Sequence, residues 1–218
     1  MLGGHAMTAI TAITAQNTHA VQAMHAVPTD MVLAQIDSVV SDIGVDAIKI
    51  GMIGSAETAE RVAARLAALS VPIVFDPVMV ATSGSRLADA RTIAAFGRLM
   101  DIAALVTPNL PELNALGGIA PVLRHGCHAL VKGGHGEGET IVDQLLGPSG
   151  TLREWRNARI ISTATHGTGC TLASAVATGL GQGMGAEAAV DRAISFVRLA
   201  LRDAPGLGSG HGPMAQQQ

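Results

Sequence analysis

The stretch ATHGTGCTLASAVATGL (Ala164–Leu180) places a cysteine directly after a glycine-bracketed threonine and before a run of small residues. Gly167 and Gly169 permit backbone angles and close approaches that a side chain would block. The run after them predicts a helix over Gly169–Gly181, which puts the glycine turn at a helix N-terminus. Outward-pointing amides and the positive end of the helix dipole make such a turn a cradle for an anion.

Cys170 is the reactive residue of this turn. A cysteine at a helix N-terminus is expected to have a lowered pKa, which favours the thiolate. The pattern suits a transferred phosphoryl group, because the amides stabilise its developing charge while a neighbouring group accepts a hydroxyl proton. The alternative is a buried cysteine that packs behind a tight turn. The pattern GxxxxGK[ST] is absent from the sequence, so a P-loop is excluded.

Short apolar runs alternate with helical patterns along the chain, which predicts a mostly parallel sheet covered by helices on both faces. The strands are predicted at Thr8–Ala15, Asp46–Met52, Val71–Asp76, Ala103–Pro108 and His128–Gly134, followed by a hairpin over Thr140–Ile160 that turns at Gly147–Gly150. The helices are predicted at Asp30–Ile43, Ser55–Ser70, Asp89–Met100, Gly169–Gly181 and Ala186–Asp203. Thr29 and Ser55 are the expected N-caps of the first two helices. We expect one α/β domain over residues 1–203 and a disordered tail over residues 204–218.

The composition limits the classes of function. The 218 residues are 48% hydrophobic and only 2% aromatic, which is enough for a sizeable aliphatic core. A net charge of -3 argues against a nucleic-acid or anionic-membrane surface. No apolar run approaches the roughly 18 residues of a membrane span, and the N-terminus lacks the basic region of a signal peptide. With only two cysteines, we expect a cytoplasmic protein that binds neither nucleic acid nor membrane.

Five polar clusters follow the predicted strands, at the strand ends where ligands collect in open α/β sheets. They are AQNT (15–18), KIGM (49–52), FDPVMVATSG (75–84), TPNLPE (107–112) and VKGGH (131–135). Each cluster has a structural alternative to a functional interpretation. Gln16 could be a surface amide at a turn, Asp76 could stop a strand, and Lys132 could be a solvated charge. Asn109 and Glu112 have the spacing of a helix capping box.

The order of six motifs along the chain resembles that of a known protein family. AQNT, KIGM, DPVM, TPNLPE, VKGGH and THGTGCT occur in the order found in hydroxymethylpyrimidine/phosphomethylpyrimidine kinases of thiamine biosynthesis. Over roughly residues 3–200 the chain resembles this family, which belongs to the ribokinase-like superfamily. Ribokinase-type sugar kinases usually carry aspartate at the position of Cys170, whereas some related pyridoxal kinases also carry cysteine. The resemblance implies a three-layer α/β/α fold with a mostly parallel central sheet.

The resemblance also implies an activity, its cofactors and the role of each site residue. The activity is the magnesium-assisted, ATP-dependent phosphorylation of 4-amino-5-hydroxymethyl-2-methylpyrimidine and then of its monophosphate, by an enzyme that is often a homodimer. The implied substrate contacts are a hydrogen bond from Gln16 to the aminopyrimidine and packing of Met52 and Val78 against its ring. The resemblance also implies that Asp76 and Glu112 position magnesium, and that Asn109 and Lys132 contact the ATP phosphates. It further implies that Gly167, Thr168 and Gly169 form the anion hole and that Cys170 is the base.

The sequence departs from the family at its beginning. Members normally start with a strand, a segment resembling GSDPSGGAGIQADLKT and a helix, whereas this chain opens with MLGGHAM, near the turn that follows. The first strand and helix are therefore expected to be absent, together with one wall of the substrate pocket. Either the natural start lies upstream or the protein is a degraded relative, and we favour the upstream start. A pyridoxal kinase and a catalytically impaired ATP-binding protein are the alternative functions.

Overall fold

A computed structural model describes residues 2–136 and 138–217 of the chain. Its main sheet has six strands in the order β3 (Ile48–Ile50), β4 (Ile73–Phe75), β5 (Leu105–Val106), β6 (His128–Val131), β7 (Thr140–Gly147) and β8 (Gly150–Ala158). Strands β3 to β6 run parallel, and β7 and β8 add an antiparallel hairpin at one edge. The predictions of a mostly parallel sheet and of the hairpin turning between Gly147 and Gly150 are confirmed.

Seven α-helices accompany the strands in the described residues. They are α1 (Thr29–Asp42), α2 (Ala56–Leu66), α3 (Ala90–Met100), α4 (Leu110–Ala115), α5 (Ile119–Leu123), α6 (Thr168–Gly181) and α7 (Ala186–Arg202). One hydrophobic cluster joins α1, α2, α3 and α5 to one face of the sheet, and a second joins α6 and α7 to the other face. The predicted three-layer α/β/α fold is therefore confirmed. None of the described helices combines the length and apolar character needed to cross a bilayer.

The alternation of side chains along the central strands builds both layers. In β4, Ile73 and Phe75 belong to the cluster with α2 and α3, whereas Val74 between them belongs to the cluster with α6 and α7. This is the period-two pattern of a strand covered on both faces. The ring of Phe75 meets that of Phe96 edge-on at 5.1 Å between centroids, a favourable geometry in a chain so poor in aromatic residues.

The second layer is packed through small residues. Ala173, Ala189 and Ala193 are fully buried between α6, α7 and the sheet. A Cβ on Gly179 would lie 2.8 Å from the Cβ of Ala189, so only glycine allows the two helices to approach this closely. Dense packing of this kind compensates for the scarcity of large side chains, because core stability depends on filling space.

The predicted N-caps have different outcomes. Ser55 caps α2 as expected, since its hydroxyl oxygen accepts a hydrogen bond from the Thr58 N–H at 3.1 Å. The prediction for Thr29 is wrong, because Pro28 occupies the N-cap position of α1 and Thr29 is its first residue. The Thr29 hydroxyl instead pairs with the Thr58 hydroxyl at 2.9 Å, which links the starts of α1 and α2.

The first predicted strand does not belong to the main sheet. Strand β1 (Ala12–Gln16) pairs antiparallel with β2 (Val21–Ala26) in a separate two-stranded sheet. Gln16, at the end of β1, is exposed and does not stand at the carboxyl edge of the parallel sheet. The alternating sequence correctly indicated a strand, although it could not indicate which partner that strand would find.

The C-terminal segment also differs from its prediction. Residues 204–217 do not extend away from the domain: Met214 is 4% exposed and the Ala215 N–H donates to the Ala200 carbonyl at 3.0 Å. Pro213 forms a bridge with His166, immediately before the glycine turn. The composition of this segment is typical of disorder, but glycine also lets a backbone lie close against its neighbours.

Candidate active site

The carboxyl ends of β4, β5 and β6 bring an acid, a hydroxyl and an amine together. Asp76 follows β4 and is only 1% exposed. Its Oδ1 accepts hydrogen bonds from Lys132 Nζ at 2.8 Å and from Thr107 Oγ1 at 2.9 Å. Thr107 and Lys132 directly follow β5 and β6, so the parallel register places them beside Asp76. Lys132 is therefore a bonded, largely buried cation and not a solvated charge.

Two lysines keep Asp76 ionised. Burial by itself would raise the pKa of Asp76, but the charges of Lys132 and Lys49, with the hydrogen bonds from Lys132 and Thr107, hold that pKa below its ordinary value. Lys49 Nζ lies 4.0 Å from Asp76 Oδ2, whereas Lys132 Nζ bonds to Oδ1. The acid is thus a fixed negative charge with a cation near each of its oxygens.

Lys49 is a site residue that the sequence interpretation did not select. It lies in the middle of β3, between Ile48 and Ile50, and its side chain is 19% exposed. A lysine enclosed by isoleucines in a covered strand is as unusual as Lys132, and that contrast could have identified it. Its ammonium group lies over Gly51, in the space that a Cβ on that residue would take.

Replacing Lys49 by methionine tests its electrostatic role without any substrate. Its positive charge lowers the pKa of Cys170, so the variant should have a higher Cys170 pKa and react several-fold more slowly with iodoacetamide near pH 8. Cys127 is 1% exposed and should not contribute to this reaction. The matched Lys49→Arg variant keeps the charge and should react nearly as fast as the wild type. Equal alkylation rates in Lys49→Met and wild type would contradict the assignment.

Glu112 combines a structural role with a position in the cluster. The predicted capping box is present: Asn109 Oδ1 accepts the Glu112 N–H and Glu112 Oε2 accepts the Asn109 N–H, each at 2.8 Å. Glu112 Oε2 is also 3.9 Å from Lys132 Nζ, so one lysine faces both acids. Burial raises the pKa of Glu112, and the charge of Lys132 only partly opposes that rise. The capping box therefore fixes this carboxylate where it faces the cluster.

The donor set is compatible with magnesium held together with a phosphate. Mg²⁺ is usually bound by one or two carboxylates, with waters and substrate phosphates completing its shell. Asp76 and Glu112 supply two carboxylates that share Lys132. In the described residues there is no cluster of three or more His, Cys, Asp or Glu side chains that would form a metal cage by itself. The residues thus fit a magnesium ion that arrives with its phosphate.

The glycine turn completes this cluster from the other layer. Gly167 has a φ of 77° at the N-cap of α6, a conformation that favours glycine, and Thr168 is the first helical residue. A Cβ on Gly169 would lie 3.2 Å from Lys132 Nζ and 3.9 Å from Asp76 Oδ2. At the other end of the helix, a Cβ on Gly181 would meet Ala47, just before β3. Helix α6 therefore directs its positive end at the acid and lysine cluster.

Cys170 lies in the first turn of α6, beside the same charges. Part of its surface is open to solvent, which excludes a fully buried thiol that packs behind the turn. The prediction of a lowered pKa is wrong: partial burial of the sulfur raises the pKa of Cys170, and the nearby charge of Asp76 adds to that rise. Lys49 and Lys132 oppose the shift without reversing it. Helix position alone could not predict this, because the acid comes from a different strand.

The predicted substrate-side residues are more dispersed. Met52 and Val78 are half-buried and follow the neighbouring strands β3 and β4, so they stand at the same edge as Asp76. The Met52 carbonyl accepts a hydrogen bond from Thr11 Oγ1 at 2.8 Å, which joins the start of the β1–β2 hairpin to this edge. Gln16 lies on that hairpin and outside the acid and lysine cluster. Its contact with a substrate stays a prediction.

A glycine-rich loop after β6 flanks the lysines. Arg159 donates to the carbonyls of Gly134, Gly136 and Gly138, at 2.8, 2.7 and 2.8 Å respectively. Asp143 accepts the Gly133 N–H at 2.9 Å. These bonds hold the backbone of the described glycines that follow Lys132.

The fold and the site together define a class of protein. A doubly covered α/β sheet carries, at its carboxyl edge, two acids, two lysines and a glycine turn at a helix N-terminus, which is the apparatus of a phosphoryl-transfer enzyme. The family model for phosphomethylpyrimidine kinase matches residues 1–215. The chain therefore belongs to the phosphomethylpyrimidine kinase family, as the order of its motifs predicted.

Relatives of established name agree with this assignment. The hydroxymethylpyrimidine/phosphomethylpyrimidine kinase of Streptomyces coelicolor is 42% identical over 228 residues, covering 98% of this chain and 84% of the relative. A thiamine biosynthesis multifunctional protein of Corynebacterium glutamicum is 38% identical over 229 residues, covering 97% of this chain and 30% of the relative. The chain thus spans less than a third of that multifunctional protein and most of the dedicated kinase.

Two solved structures resemble the fold closely. The pyridoxal kinase from Staphylococcus aureus in complex with AMP-PCP has a TM-score of 0.87 and 27% identity, covering 99% of this chain and 84% of that one. The phosphomethylpyrimidine kinase from Clostridium difficile has a TM-score of 0.73 and 31% identity, covering 90% of this chain and 87% of that one. Both neighbours bear the names of kinases, which agrees with the class that the site defines.

Proposed function

We propose that this protein phosphorylates 4-amino-5-hydroxymethyl-2-methylpyrimidine with ATP, and then phosphorylates the resulting monophosphate. The observation that carries the proposal is the position of Gly169, because a Cβ built on it would lie 3.2 Å from Lys132 Nζ and 3.9 Å from Asp76 Oδ2. The helix N-terminus and the acid and lysine cluster are thus one site. Relatives at about 40% identity bear the name of this activity.

The charges of the site suit a loose phosphoryl-transfer transition state. Such a transition state spreads negative charge over the transferred group and requires positioning and neutralisation more than covalent chemistry. Lys132, Lys49 and the amides of Thr168 and Gly169 would neutralise that charge. Asn109 and Lys132 would contact the ATP phosphates. Asp76 and Glu112 would hold magnesium, which supplies further neutralisation when bound.

Cys170 is proposed to accept the proton of the attacking hydroxyl. Cys170 lies in the first turn of α6, where the charges of Lys49, Asp76 and Lys132 act on its pKa. Because its pKa is raised, the resting form at neutral pH is the thiol, and the competent thiolate is a minor fraction. Proton transfer is late in a loose transition state, so a small thiolate population is compatible with turnover. The rate should therefore increase with pH.

On the substrate side, the proposal assigns the pyrimidine to the edge that carries Met52 and Val78. Both side chains are half-buried beside the cluster, which provides an apolar surface for a ring. Gln16 on the β1–β2 hairpin would hydrogen-bond the amino group of the ring. A homodimeric state and a cytoplasmic location belong to the same proposal and follow from the family resemblance and the low cysteine content.

A pyridoxal kinase is the second candidate, and one observation favours it. The structural match to the Staphylococcus aureus pyridoxal kinase has a TM-score of 0.87, against 0.73 for the Clostridium difficile phosphomethylpyrimidine kinase. The sequence favours the pyrimidine instead, since identity is 42% to the Streptomyces coelicolor enzyme and 27% to that pyridoxal kinase. Backbone similarity reflects a shared scaffold, whereas substrate choice depends on side chains.

Product analysis separates the candidates. Purified protein incubated with ATP, magnesium and the hydroxymethylpyrimidine should yield ADP and then the pyrimidine mono- and diphosphates, resolved by chromatography. Pyridoxal in place of the pyrimidine is the matched comparison. Turnover of pyridoxal without turnover of the pyrimidine would overturn the first candidate. ATP binding by calorimetry with turnover of neither would indicate a catalytically impaired ATP-binding protein.

A further inference from the structure

The C-terminal residues 207–216 connect two parts of the protein that are distant in sequence. On one side they contact the tip of the β1–β2 hairpin: the His211 N–H donates to the Thr18 carbonyl at 2.7 Å, and His19 Nε2 pairs with Ser209 Oγ at 2.8 Å. On the other side the His211 ring pairs through Nδ1 with Thr165 Oγ1 at 2.9 Å. We call residues 207–216 the C-terminal strap.

The strap is bonded to the glycine turn as well as to the hairpin. The Gly212 N–H donates to the Thr163 carbonyl at 3.1 Å, and the His166 N–H donates back to the Gly212 carbonyl at 3.2 Å. Gln216 Nε2 donates to Thr171 Oγ1 at 2.6 Å, within the first turn of α6. Buried Met214 anchors the strap against the domain. Both ends of the anion cradle thus carry a bond from this segment.

The contact with the hairpin is tight enough to require glycine. A Cβ on Gly210 would lie 2.7 Å from the Thr18 carbonyl carbon and 3.1 Å from the His19 nitrogen. These are backbone atoms, which cannot rotate out of the way as a long side chain can. A side chain at this position therefore forces the hairpin tip and the strap apart.

The strap is also what holds the hairpin tip. In the part of the chain that the structure describes, the hydrogen bonds that join residues 12–26 to other segments are those from the strap to Thr18 and His19. The base of the hairpin is fixed separately, by Thr11 to the Met52 carbonyl and by Ile10 to Gln35. An exposed two-stranded hairpin is marginally stable alone, so its tip depends on this support.

We propose that the C-terminal strap is a positioning element that sets the β1–β2 hairpin, and with it Gln16, relative to the anion cradle. Gln16 is two residues before Thr18, so a displaced tip displaces its amide. Gly210 and His211 are the positioning residues, since the first allows the contact and the second joins both sides. The expected effect on the KM for the pyrimidine rests on the proposed pyrimidine kinase function. The support of the hairpin tip by the strap does not depend on that function.

Gly210→Ala tests the inference by two independent measurements. Amide hydrogen exchange of residues 12–26, followed by mass spectrometry without substrate, should become at least several-fold faster than in the wild type. The KM for the pyrimidine should rise about tenfold, with kcat and the KM for ATP within twofold, because a Cβ on Gly210 meets the hairpin tip and neither the glycine turn nor the lysines. Gly185→Ala is the matched control, since a Cβ there meets no atom within 4 Å. It should leave both readouts unchanged.

A second variant covers the case in which Gly210→Ala fails to fold. His211→Ala removes the ring contact with Thr165 and keeps the backbone contact with Thr18, so it should raise the same KM to a smaller extent, and His211→Asn should restore part of it. The proposed positioning role of the strap would be overturned if hydrogen exchange of the hairpin were unchanged in a folded Gly210→Ala protein. It would also be overturned if the KM for the pyrimidine were unchanged in both variants. If the wild type turns over no pyrimidine, the proposed function fails. The exchange measurement alone then tests whether the strap positions the hairpin.

Discussion

Cys170→Ala should lower kcat by about 10²–10⁴-fold, the usual contribution of a positioned general base. The affinity for ATP should stay within a few-fold, because Lys132, Lys49 and the amides of the turn are unchanged. Fixed-time assays of product formation give kcat, and calorimetric titration with ATP gives the affinity for ATP. A small residual rate is expected, since positioning and charge neutralisation remain. Unchanged turnover in Cys170→Ala would remove the base role from this residue.

The pH dependence of the same reaction separates a base from a packing residue. Burial raises the pKa of Cys170, so the wild-type rate should increase with pH from neutral into the alkaline range as the thiolate fraction grows. Cys170→Asp places a carboxylate at the same position, and its ordinary pKa of about 3.9 lies far below the thiol value of about 8.5, so it should be ionised at neutral pH even when the same surroundings raise its pKa. Its rate should therefore be nearly flat between about pH 6 and 9. Parallel profiles for the two proteins would show that residue 170 does not accept the proton.

How far the sequence predicted the site depends on which residues are local to one element. The capping box of Asn109 and Glu112 was predictable because both partners lie in four consecutive residues. Lys132 and Asp76 were predictable as site residues because both follow buried strands, and parallel strands share a carboxyl edge. These inferences need only the element boundaries and the direction of the chain.

The errors have a common physical origin in tertiary context. The pKa of Cys170 depends on Asp76, which is 94 positions away in sequence, and on burial by other elements, neither of which is visible in the motif. The alternation of Thr8–Ala15 fixes a strand but leaves its partner open, and β2, which carries the exposed Gln22 and His25, has too little apolar alternation to predict. Hydrophobic periodicity and composition are properties of one segment, whereas strand pairing depends on which other strands the fold brings beside it.

The C-terminal strap is a second case in which composition did not predict tertiary contacts, because a segment expected to be disordered is ordered. The segment GLGSGHGPMAQ (206–216) has the glycine content of a disordered tail, yet glycine is also what permits backbone contact with Thr18. Its bonds are mostly made by backbone groups, which leave no imprint on residue type. A glycine-rich terminus therefore has two physical interpretations, and only the contacts of Gly210 and Gly212 distinguish them.

Lys132→Met should destabilise the fold as well as abolish most of the activity. Lys132 is the closest cation to Asp76 in the described residues, and Asp76 is 1% exposed, so the removal of Lys132 leaves a buried charge with the Thr107 hydrogen bond and the more distant Lys49 but without its nearest cation. Removing one partner of a buried pair costs about 3–5 kcal/mol of unfolding free energy. Chemical denaturation near pH 7 measures this loss. The double variant Asp76→Asn/Lys132→Met is the control, and it should recover most of the stability without recovering activity.

The pH dependence of that stability provides the sharper test. In the wild type the pKa of Asp76 is lowered, so its contribution is present above the unfolded value of about 3.9 and is lost as the pH falls through the folded value. In Lys132→Met burial outweighs the remaining cation, and the folded pKa should move above the unfolded one. Protonation then relieves the buried charge, so this variant should lose less stability than the wild type when the pH falls from 7 to below about 3.9. If both proteins lost stability in parallel, Lys132 would not be the cation that keeps Asp76 ionised.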